Sequence, residues 1–570
     1  MVFRSIVVAW SLAVLAVRAI PLGVNIVSHT SNVPCTGNSA SDRSVWCDHD
    51  IHTDYYNVVP DTGVTREYWL ELVNVTAAPD GVPRTVLTVN GTVPGPTLYA
   101  DWGDRIKVHV HNGLENNGTS MHFHGVRQNN TNTQDGVSSI TQCPVAPGES
   151  ITYEWRATEY GSTWYHSHFA LQAWGGVFGG IIINGPASAN YDEDAGVLFL
   201  NDWDHRTVDS LYQQAQISGQ PWLQTGLING TNVWVEESDG EVVGSRFEMT
   251  VSRGKSYRLR IYSAAIGASL RFMIDNHVLM VIAADLVPIQ PYNTTSLLLV
   301  AGQRYDVIVT ANQDAVASDF WIRSIPQVAC SKVHNVDNIK GILHYGTGNA
   351  STPTTSPWNF TDSCLDEPAS SLVPIVPVDA SPEMTWNSEM TNASLNADGL
   401  IRWSMGPTSF KSEWDNPTLL QVANGTTVWP EVAHVVPFEG VNEWIAIEIQ
   451  AGTSEPHPIH LHGHDVLILA SGTGQYVRDN VSLQLHNPPR RDTVMLPGDG
   501  YMVIAFQTNN PGAWLLHCHI GWHQAEGYAM QFLVRYAEIE SMIDTTALET
   551  TCRAWDRYMA IASPEDDSGI

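Results

Sequence analysis

The pattern of apolar and polar positions predicts a chain built from short β-strands. Apolar side chains alternate with polar ones in REYWLELVNVTAA (66–78) and RIKVHVHNGL (105–114). Such alternation is typical of strands that bury one face. Between these runs, residues 89–104 are rich in glycine and proline, which favour turns. More strands are predicted at VLFLNDW (197–203), YRLRIYSAA (257–265), VLMVIAAD (278–285) and YDVIVTA (305–311).

The length of 570 residues predicts several domains, because one hydrophobic core rarely grows that large. Glycine and proline are plentiful and long amphipathic helical runs are scarce, which indicates an all-β protein. GGIIINGP ends a first β region near residue 186, and STPTTSPWNFTDSC links a second region to a third. We therefore predict domains at 20–186, 187–356 and 357–570, after a leader at 1–19.

The net charge indicates which classes of binding partner are not expected. The chain has 28 Lys and Arg against 59 Asp and Glu, a net charge of −31. Nucleic acid and anionic membrane surfaces carry the same sign of charge, so neither is an expected partner.

The N-terminus predicts secretion. Arg4 precedes the apolar run Ile6–Val17, and Val17-Arg18-Ala19 resembles a signal-peptide cleavage site. A membrane anchor is the alternative, but the run is shorter than the roughly 20 residues that span a bilayer. Asn-x-Ser/Thr sequences, the acceptors of N-linked glycan, are frequent and agree with secretion. They lie at Asn74, Asn90, Asn117, Asn129, Asn229, Asn293, Asn349, Asn359, Asn392, Asn424 and Asn480.

The seven cysteines fit an oxidising compartment once Cys518, interpreted below as a metal ligand, is set aside. Six remain, an even number that is typical of a disulfide framework, with fifteen pairings allowed by counting alone. Local spacing favours Cys35 with Cys47 and Cys330 with Cys364, which leaves Cys143 with Cys552.

The segment Trp514–Phe532 carries the most specific chemical signal. Apolar residues lead into His517-Cys518-His519, and His523 follows after a short turn. In a strand, the two histidines point to one face and Cys518 points to the other. Thiolate and imidazole together are the ligands of a blue-copper electron-transfer site. The segment therefore predicts two metal centres that are joined through the backbone.

Three further histidine clusters strengthen this interpretation. They are HFHG (122–125), HSH (166–168) and HPIHLHGH (457–464). A lone His-x-His pair is usually a surface or structural pair, but four clusters in one chain are not accidental. Strand parity puts His460 and His462 on one face and His457 on the other. No cluster falls within 187–356, so the middle domain is expected mainly to space the other two. Zinc or cupin sites are the alternatives, but neither places a cysteine between two histidines.

In their order along the chain and in their residues, these clusters resemble the copper-binding motifs of the multicopper oxidases, and specifically those of the laccases of filamentous ascomycete fungi. The resemblance rests on residues 122–148, 161–183, HPIHLHGH and HCHIGWH, with NPPRRDTVMLP (487–497) also similar, and it covers nearly the whole mature chain. It implies three cupredoxin-like (plastocyanin-type) β-sandwich domains. It also implies four copper ions: one type 1, one type 2 and a type 3 pair.

The resemblance also implies a set of copper ligands, all of which are present. The type 1 copper would take His457, Cys518 and His523. The type 2 copper would take His122 and His460. One type 3 ion would take His124, His166 and His519, and the other His168, His462 and His517. Four other histidines, His464, His109, His111 and His486, are expected to be structural.

Other roles follow from motif position. Electrons are expected to reach the type 1 copper through His457. Asp135, in QDGV, is expected to relay protons, although such a residue also suits a simple turn. Tyr528, ten residues after Cys518, stands where related oxidases carry methionine or leucine. We expect its ring to fill the axial space without coordinating, and phenolate ligation stays open.

Two acidic segments complete the predictions. An acidic residue of the middle domain beside the type 1 site is implied, with Glu236, Glu237, Asp239 and Glu241 as candidates and a solvated loop as the alternative. Residues 565–570, EDDSGI, resemble the C-terminal segment that ascomycete laccases tuck toward the trinuclear cluster. A frayed acidic tail is the alternative.

The sequence thus predicts a secreted, extracellular laccase that is a monomer. Its partners would be phenolic or aromatic-amine small molecules and dioxygen, without nucleic acid or membrane. One alternative is a multicopper oxidase with another reductant, such as a metal ion, ascorbate or a pigment precursor. The other is a copper carrier or structural glycoprotein, which is disfavoured because no trinuclear ligand is lost.

Overall fold

The computed structural model describes residues 36–236 and 238–562, which are mostly β-strand. The strands form three successive groups, and the described residues contain no sheet that combines strands of two groups. In each group, apolar residues of two sheets meet in a shared buried core. The predicted all-β architecture of three sandwiches is therefore observed. The groups lie within the predicted domain limits, although the limits themselves stay a prediction.

The first group supplies two of the four histidine clusters. Its sheets have the strand orders β4-β3-β6-β8 and β5-β10-β9-β7, beside the small β1-β2 ribbon. The strands are β1 (Val45–Trp46), β2 (His49–Asp50), β3 (Thr65–Ala77), β4 (Arg84–Val89), β5 (Gly95–Asp101), β6 (Arg105–Asn112), β7 (His122–His124), β8 (Ser150–Arg156), β9 (Gly161–His166) and β10 (Phe178–Asn184).

One strand of this group lies inside the segment whose glycines and prolines favour turns. β5 pairs in parallel with β10 and is an edge strand of its sheet. Proline is tolerated at a sheet edge because one side of the strand needs no backbone donor. The proline-rich composition therefore marks an edge strand as well as turns.

The second group forms a larger sandwich from the middle of the chain. Its main sheets have the orders β12-β11-β16-β21-β18-β19 and β15-β23-β22-β17-β20, and β13 pairs with β14. The strands are β11 (Glu193–Trp203), β12 (Thr225–Ile228), β13 (Val233–Val235), β14 (Val242–Gly244), β15 (Glu248–Val251), β16 (Ser256–Ser263), β17 (Leu270–Ile274), β18 (Leu279–Ala284), β19 (Val287–Thr294), β20 (Leu297–Leu299), β21 (Arg304–Thr310), β22 (Asp319–Pro326) and β23 (Lys340–Tyr345).

The third group contains the other two histidine clusters, in β28 and β33. Its sheets have the orders β25-β24-β27-β32-β29-β30 and β26-β34-β33-β28-β31. The strands are β24 (Thr385–Leu395), β25 (Ile401–Met405), β26 (Val435–Phe438), β27 (Trp444–Ala451), β28 (His457–Leu461), β29 (Val466–Thr473), β30 (Arg490–Arg491), β31 (Thr493–Leu496), β32 (Gly500–Gln507), β33 (Gly512–Cys518) and β34 (Ala529–Val534).

Helices connect and cap the sandwiches. Every helix in the described ranges is too short or too polar to cross a bilayer. The α-helices are α1 (Gln172–Gly175), α2 (Val208–Ser218), α3 (Thr418–Ala423), α4 (Gly521–Ala525), α5 (Tyr536–Ile539) and α6 (Thr545–Met559). Short 3-10 turns lie at Asn132–Gln134, Ala369–Ser371, Glu431–Ala433, Arg478–Asn480 and Glu540–Met542.

Two predicted disulfides are confirmed. Cys330 is bonded to Cys364, and Cys143 is bonded to Cys552, which ties helix α6 to the first group across 409 residues. The third predicted pair includes Cys35, which lies outside the described residues, so that pair stays a prediction. The leader at 1–19 and the terminal segment 565–570 also lie outside them.

Candidate metal centre

Strand pairing brings the four histidine clusters together. β28 runs antiparallel to β33, so that Ile459 lies opposite Cys518 and His460 lies opposite His517. β7 runs antiparallel to β9, which places His122 opposite His166. Side chains opposite one another in such pairs are neighbours on the same face. The sheets therefore present histidines from the first and third groups to a common buried space.

Cys518 forms a separate group with two histidines. Its Sγ lies 3.8 Å from Nδ1 of His457 and 3.8 Å from Nδ1 of His523. β33 ends at Cys518, and α4 brings His523 back to it. All three side chains are buried, and Cys518 is free of any disulfide. Burial lowers the pKa of His457 to about 3 and raises the pKa of the Cys518 thiol. The imidazoles are therefore neutral and able to ligate a metal.

The other eight predicted ligands form one buried histidine cluster. Nε2 of His462 lies 3.2 Å from Nε2 of His517, and ring centroids are 4.0 Å apart for His122 and His462 and 3.9 Å apart for His124 and His460. Desolvation holds the pKa of His460 and His462 well below the ordinary value. The cluster consists of His122, His124, His166, His168, His460, His462, His517 and His519.

Most rings in the cluster are held by one nitrogen, which leaves the other available. Nδ1 of His122 donates to the backbone oxygen of Asp135 at 2.8 Å, and Nδ1 of His460 donates to that of Asp492 at 2.8 Å. In both rings Nε2 is buried without a hydrogen-bond partner among the described residues. A buried polar atom left in this state is costly unless something else binds it. Neutral imidazole with its second N–H anchored is the usual form of a metal ligand.

Two more rings of the cluster have one ring nitrogen that is hydrogen-bonded and one that is not. His166 donates from Nδ1 to the Ser167 oxygen at 2.9 Å, and its Nε2 has no partner among the described atoms. His124 is anchored the other way round, with Nε2 3.1 Å from Asp492 Oδ1 and Nδ1 without a described partner. Both ring nitrogens of His168 and His519 lack described partners. These donor atoms fit soft and borderline metal ions such as copper.

Two buried carboxylates anchor the rings. Asp135 Oδ2 accepts from Nδ1 of His462 at 2.9 Å. Asp492 is itself held by Arg304, whose Nη1 and Nη2 lie 2.7 and 2.6 Å from its two oxygens. Sequence reasoning missed Asp492 and Arg304 as parts of the site. The NPPRRD motif was noted, but only a contact across 188 residues reveals what its aspartate does.

The middle group also shapes the cluster, which corrects the expectation that it mainly spaces the other two. It supplies Arg304, and Gly302 lies against the rings. A Cβ at Gly302 would meet His519 Cδ2 at 3.0 Å and His124 Cε1 at 3.2 Å. The φ of +89° at this position also favours glycine. The middle group therefore contributes Gly302 against the rings and Arg304, which holds Asp492.

Comparison with known proteins decides the family. Multicopper oxidase family models match residues 71–188, 194–348 and 406–538. Laccase-2 of Botryotinia fuckeliana is 45% identical over 95% of this chain and 94% of that protein. The chain belongs to the multicopper oxidases.

Two further similarities show which multicopper oxidases this chain resembles. The oxidoreductase OpS5 of Beauveria bassiana is 44% identical over 93% of this chain and 92% of that protein. The crystal structure of the laccase from Botrytis aclada matches with a TM-score of 0.90 and 44% identity, over 94% of this chain and all of that one. The predictions of a cupredoxin-like fold, a laccase-type oxidoreductase and copper as cofactor are confirmed.

A cavity of about 460 Å³ lies beside the Cys518 group. His523 lines this cavity, whereas His457 is fully buried and does not. Nε2 of His523 also lies 3.9 Å from the Glu455 carboxylate in the cavity wall. Strand parity separates the faces of β28 but does not say which ligand faces solvent. Of the two histidines beside Cys518 in this multicopper oxidase, His523 is the one that lines the cavity.

The acidic groups in this cavity also differ from the predicted candidates. Glu455 and Glu526 line it, and both belong to the third group. Glu236, Asp239 and Glu241 lie around the β13–β14 turn and do not line it, while Glu237 lies outside the described residues. Burial raises the pKa of Glu526 to about 8. The proximity of Glu526 to His523 in sequence was the signal that could have found it.

Tyr528 packs beside the Cys518 group. Its backbone oxygen accepts from the Cys518 N–H at 3.0 Å, and its ring centroid is 4.9 Å from that of His457. The ring also stacks on Trp403, with centroids 5.4 Å apart. Burial holds the pKa of the phenol well above its ordinary value. The ring thus occupies space next to the ligands in its neutral form.

The four histidines expected above to be structural have other partners. Nε2 of His109 lies 2.7 Å from Glu67 Oε1, and His111 contacts the Ser150 hydroxyl. His486 is exposed and pairs with Asp379. His464 donates to the backbone oxygen of His462 at 3.1 Å, which makes it a neighbour of the cluster.

Proposed function

We propose that this laccase-type oxidase is secreted and oxidises phenols and aromatic amines by one electron each, with dioxygen as the final acceptor. For phenols the balance is four ArOH and one O₂ giving four ArO• and two H₂O. The observation that carries the proposal is the arrangement of available ring nitrogens in one buried cluster, joined through Cys518 to a second group.

Four copper ions are proposed, with the ligand sets implied by the sequence. Groups of donor atoms within 4.8 Å of one another support the proposed type 1 set, His457, Cys518 and His523, and the type 3 set His168, His462 and His517. When bound, copper would supply one-electron redox chemistry at the first group and dioxygen reduction at the histidine cluster. Cys518 lies between His517 and His519 in the chain, so few covalent bonds separate the two sites.

Asp135 is proposed to relay protons as well as to orient rings. Its Oδ1 lies 3.2 Å from His122 Nδ1 and makes no hydrogen bond to a described group. Its Oδ2 holds His462. A buried carboxylate with one oxygen available can accept a proton without giving up its contact to the ring. Four protons are consumed for each dioxygen, so such a group is required close to the cluster.

The cavity at His523 is proposed to bind the reducing substrate. Trp403 lines it, with a ring centroid 4.3 Å from that of His523, and Leu395 and Ile401 add apolar surface. Its volume of about 460 Å³ suits a single aromatic molecule. Substrate held against His523 would pass its electron through that ring toward Cys518.

Secretion and a monomeric state are proposed on the sequence features alone, and glycosylation is proposed on the sequence and on exposure. Exposure supports glycan attachment at several sequons, since Asn293, Asn349, Asn359, Asn392 and Asn480 are exposed.

The test is oxygen uptake by the purified copper-loaded protein with 2,6-dimethoxyphenol. We expect four phenol molecules to be consumed for each dioxygen. We also expect no release of hydrogen peroxide, which is checked by adding catalase. A ratio of two phenols to one dioxygen with peroxide release would contradict it.

A further inference from the structure

The cavity at His523 contains one basic side chain besides His523, in a strongly acidic protein. Among the described residues that line it, Lys332 is the only lysine or arginine. The chain as a whole carries a net charge of −31. An anionic small molecule is therefore repelled at long range, and Lys332 is the group that offsets this inside the cavity.

The backbone fixes the position of this ammonium group. The Leu223 N–H donates to the Lys332 oxygen at 2.8 Å, and Leu223 also bridges to Val333. The disulfide of Cys330, two residues earlier, restrains the same segment. Lys332 Nζ donates to the Gln220 oxygen at 3.0 Å. An ammonium has three donors, so two remain for a ligand.

Lys332 shares this cavity with an apolar surface and with His523. Leu395, Ile401 and Trp403 form the apolar surface. His523 and Glu455 line the same cavity, so the ammonium group and the proposed site of oxidation face one common space.

We propose that Lys332 makes this cavity selective for phenols that carry a carboxylate, such as hydroxycinnamates, over their neutral analogues. The ring would lie on Trp403, with the hydroxyl toward His523 and the carboxylate on Nζ of Lys332. This inference rests on the proposed binding of phenols at His523, and it names the substrate class.

The test compares 4-hydroxy-3,5-dimethoxycinnamate with its methyl ester in the copper-loaded enzyme. Lys332→Met removes the charge and keeps most of the side-chain length. We expect KM for the acid to rise roughly 5- to 10-fold, the range for a partly exposed charge-assisted hydrogen bond, with kcat little changed. KM for the ester should stay within about twofold, since its carbonyl is neutral. Lys332→Arg should restore most of the preference for the acid.

A surface variant and a binding measurement serve as controls. Lys255→Met removes another lysine, which pairs with Glu193 on the exposed surface, and should change neither KM. Calorimetry with 4-methoxycinnamate, which has no hydroxyl to oxidise, should show binding to the wild type and weaker binding to Lys332→Met. Equal changes for acid and ester, or unchanged binding of 4-methoxycinnamate, would overturn the proposal. Failure of the proposed function differs, because then neither phenol is turned over by the wild type.

Discussion

Replacing Asp135 by alanine tests how the histidine cluster holds copper. The variant keeps the backbone oxygen that anchors His122 at 2.8 Å but loses the carboxylate that accepts from His462 at 2.9 Å. Loss of a hydrogen-bonding partner behind a metal-binding histidine costs about 10- to 100-fold in metal affinity. That corresponds to about 1.4–2.7 kcal/mol. We expect a loss of this size for copper in the histidine cluster.

The assay is competition with a chelator, followed by copper content and by the visible absorption of the thiolate site. Asp135 makes no described contact with Cys518, so the visible band should persist while copper is lost from the cluster. Asp80→Ala is the matched control, because Asp80 is equally buried and accepts from Nε2 of His205 at 2.8 Å outside the cluster. An unchanged chelator midpoint in Asp135→Ala would refute the orienting role. So would an equal shift in the Asp80 variant.

Two further predictions concern Tyr528 beside the Cys518 group and the buried carboxyl group of Glu159. Tyr528→Met places a thioether beside the Cys518 group and should lower the reduction potential, measured in a redox titration of the visible band. Tyr528→Phe should leave the reduction potential unchanged. An equal drop in both variants would implicate the hydroxyl group of Tyr528. Burial raises the pKa of Glu159 to about 8, from an unfolded value of about 4.3, so stability is lost as pH rises between these values. Glu159→Gln should therefore raise Tm more at pH 8 than at pH 4.5, and equal shifts at both would contradict this.

The residues that meet in the two groups could be predicted from the sequence because their motifs are local. Cys518 and His517 are adjacent, and the alternation of a strand dictates that they face opposite ways. The structure shows that alternation, with His517 in the histidine cluster and Cys518 beside His457. No long-range information is needed for that inference.

Other parts of the site depend on contacts that no local pattern contains. Arg304 and Asp492 are 188 residues apart and meet only when the second and third groups pack together. In the sequence, Gly302 cannot be told from an ordinary turn glycine. Only the structure shows that it lies against the rings of His124 and His519. Whether His457 or His523 faces the cavity likewise depends on the surrounding surface.

The central claim is that the chain binds copper at a thiolate site and at a separate histidine cluster. The most direct measurement is a copper titration of the metal-free protein, with bound copper and visible absorption recorded at each step. We expect four equivalents at saturation and an intense visible band. Cys518→Ser should abolish this band while the variant still binds copper at the histidine cluster. A protein that saturates with copper but stays colourless, or that binds a single equivalent, would contradict it.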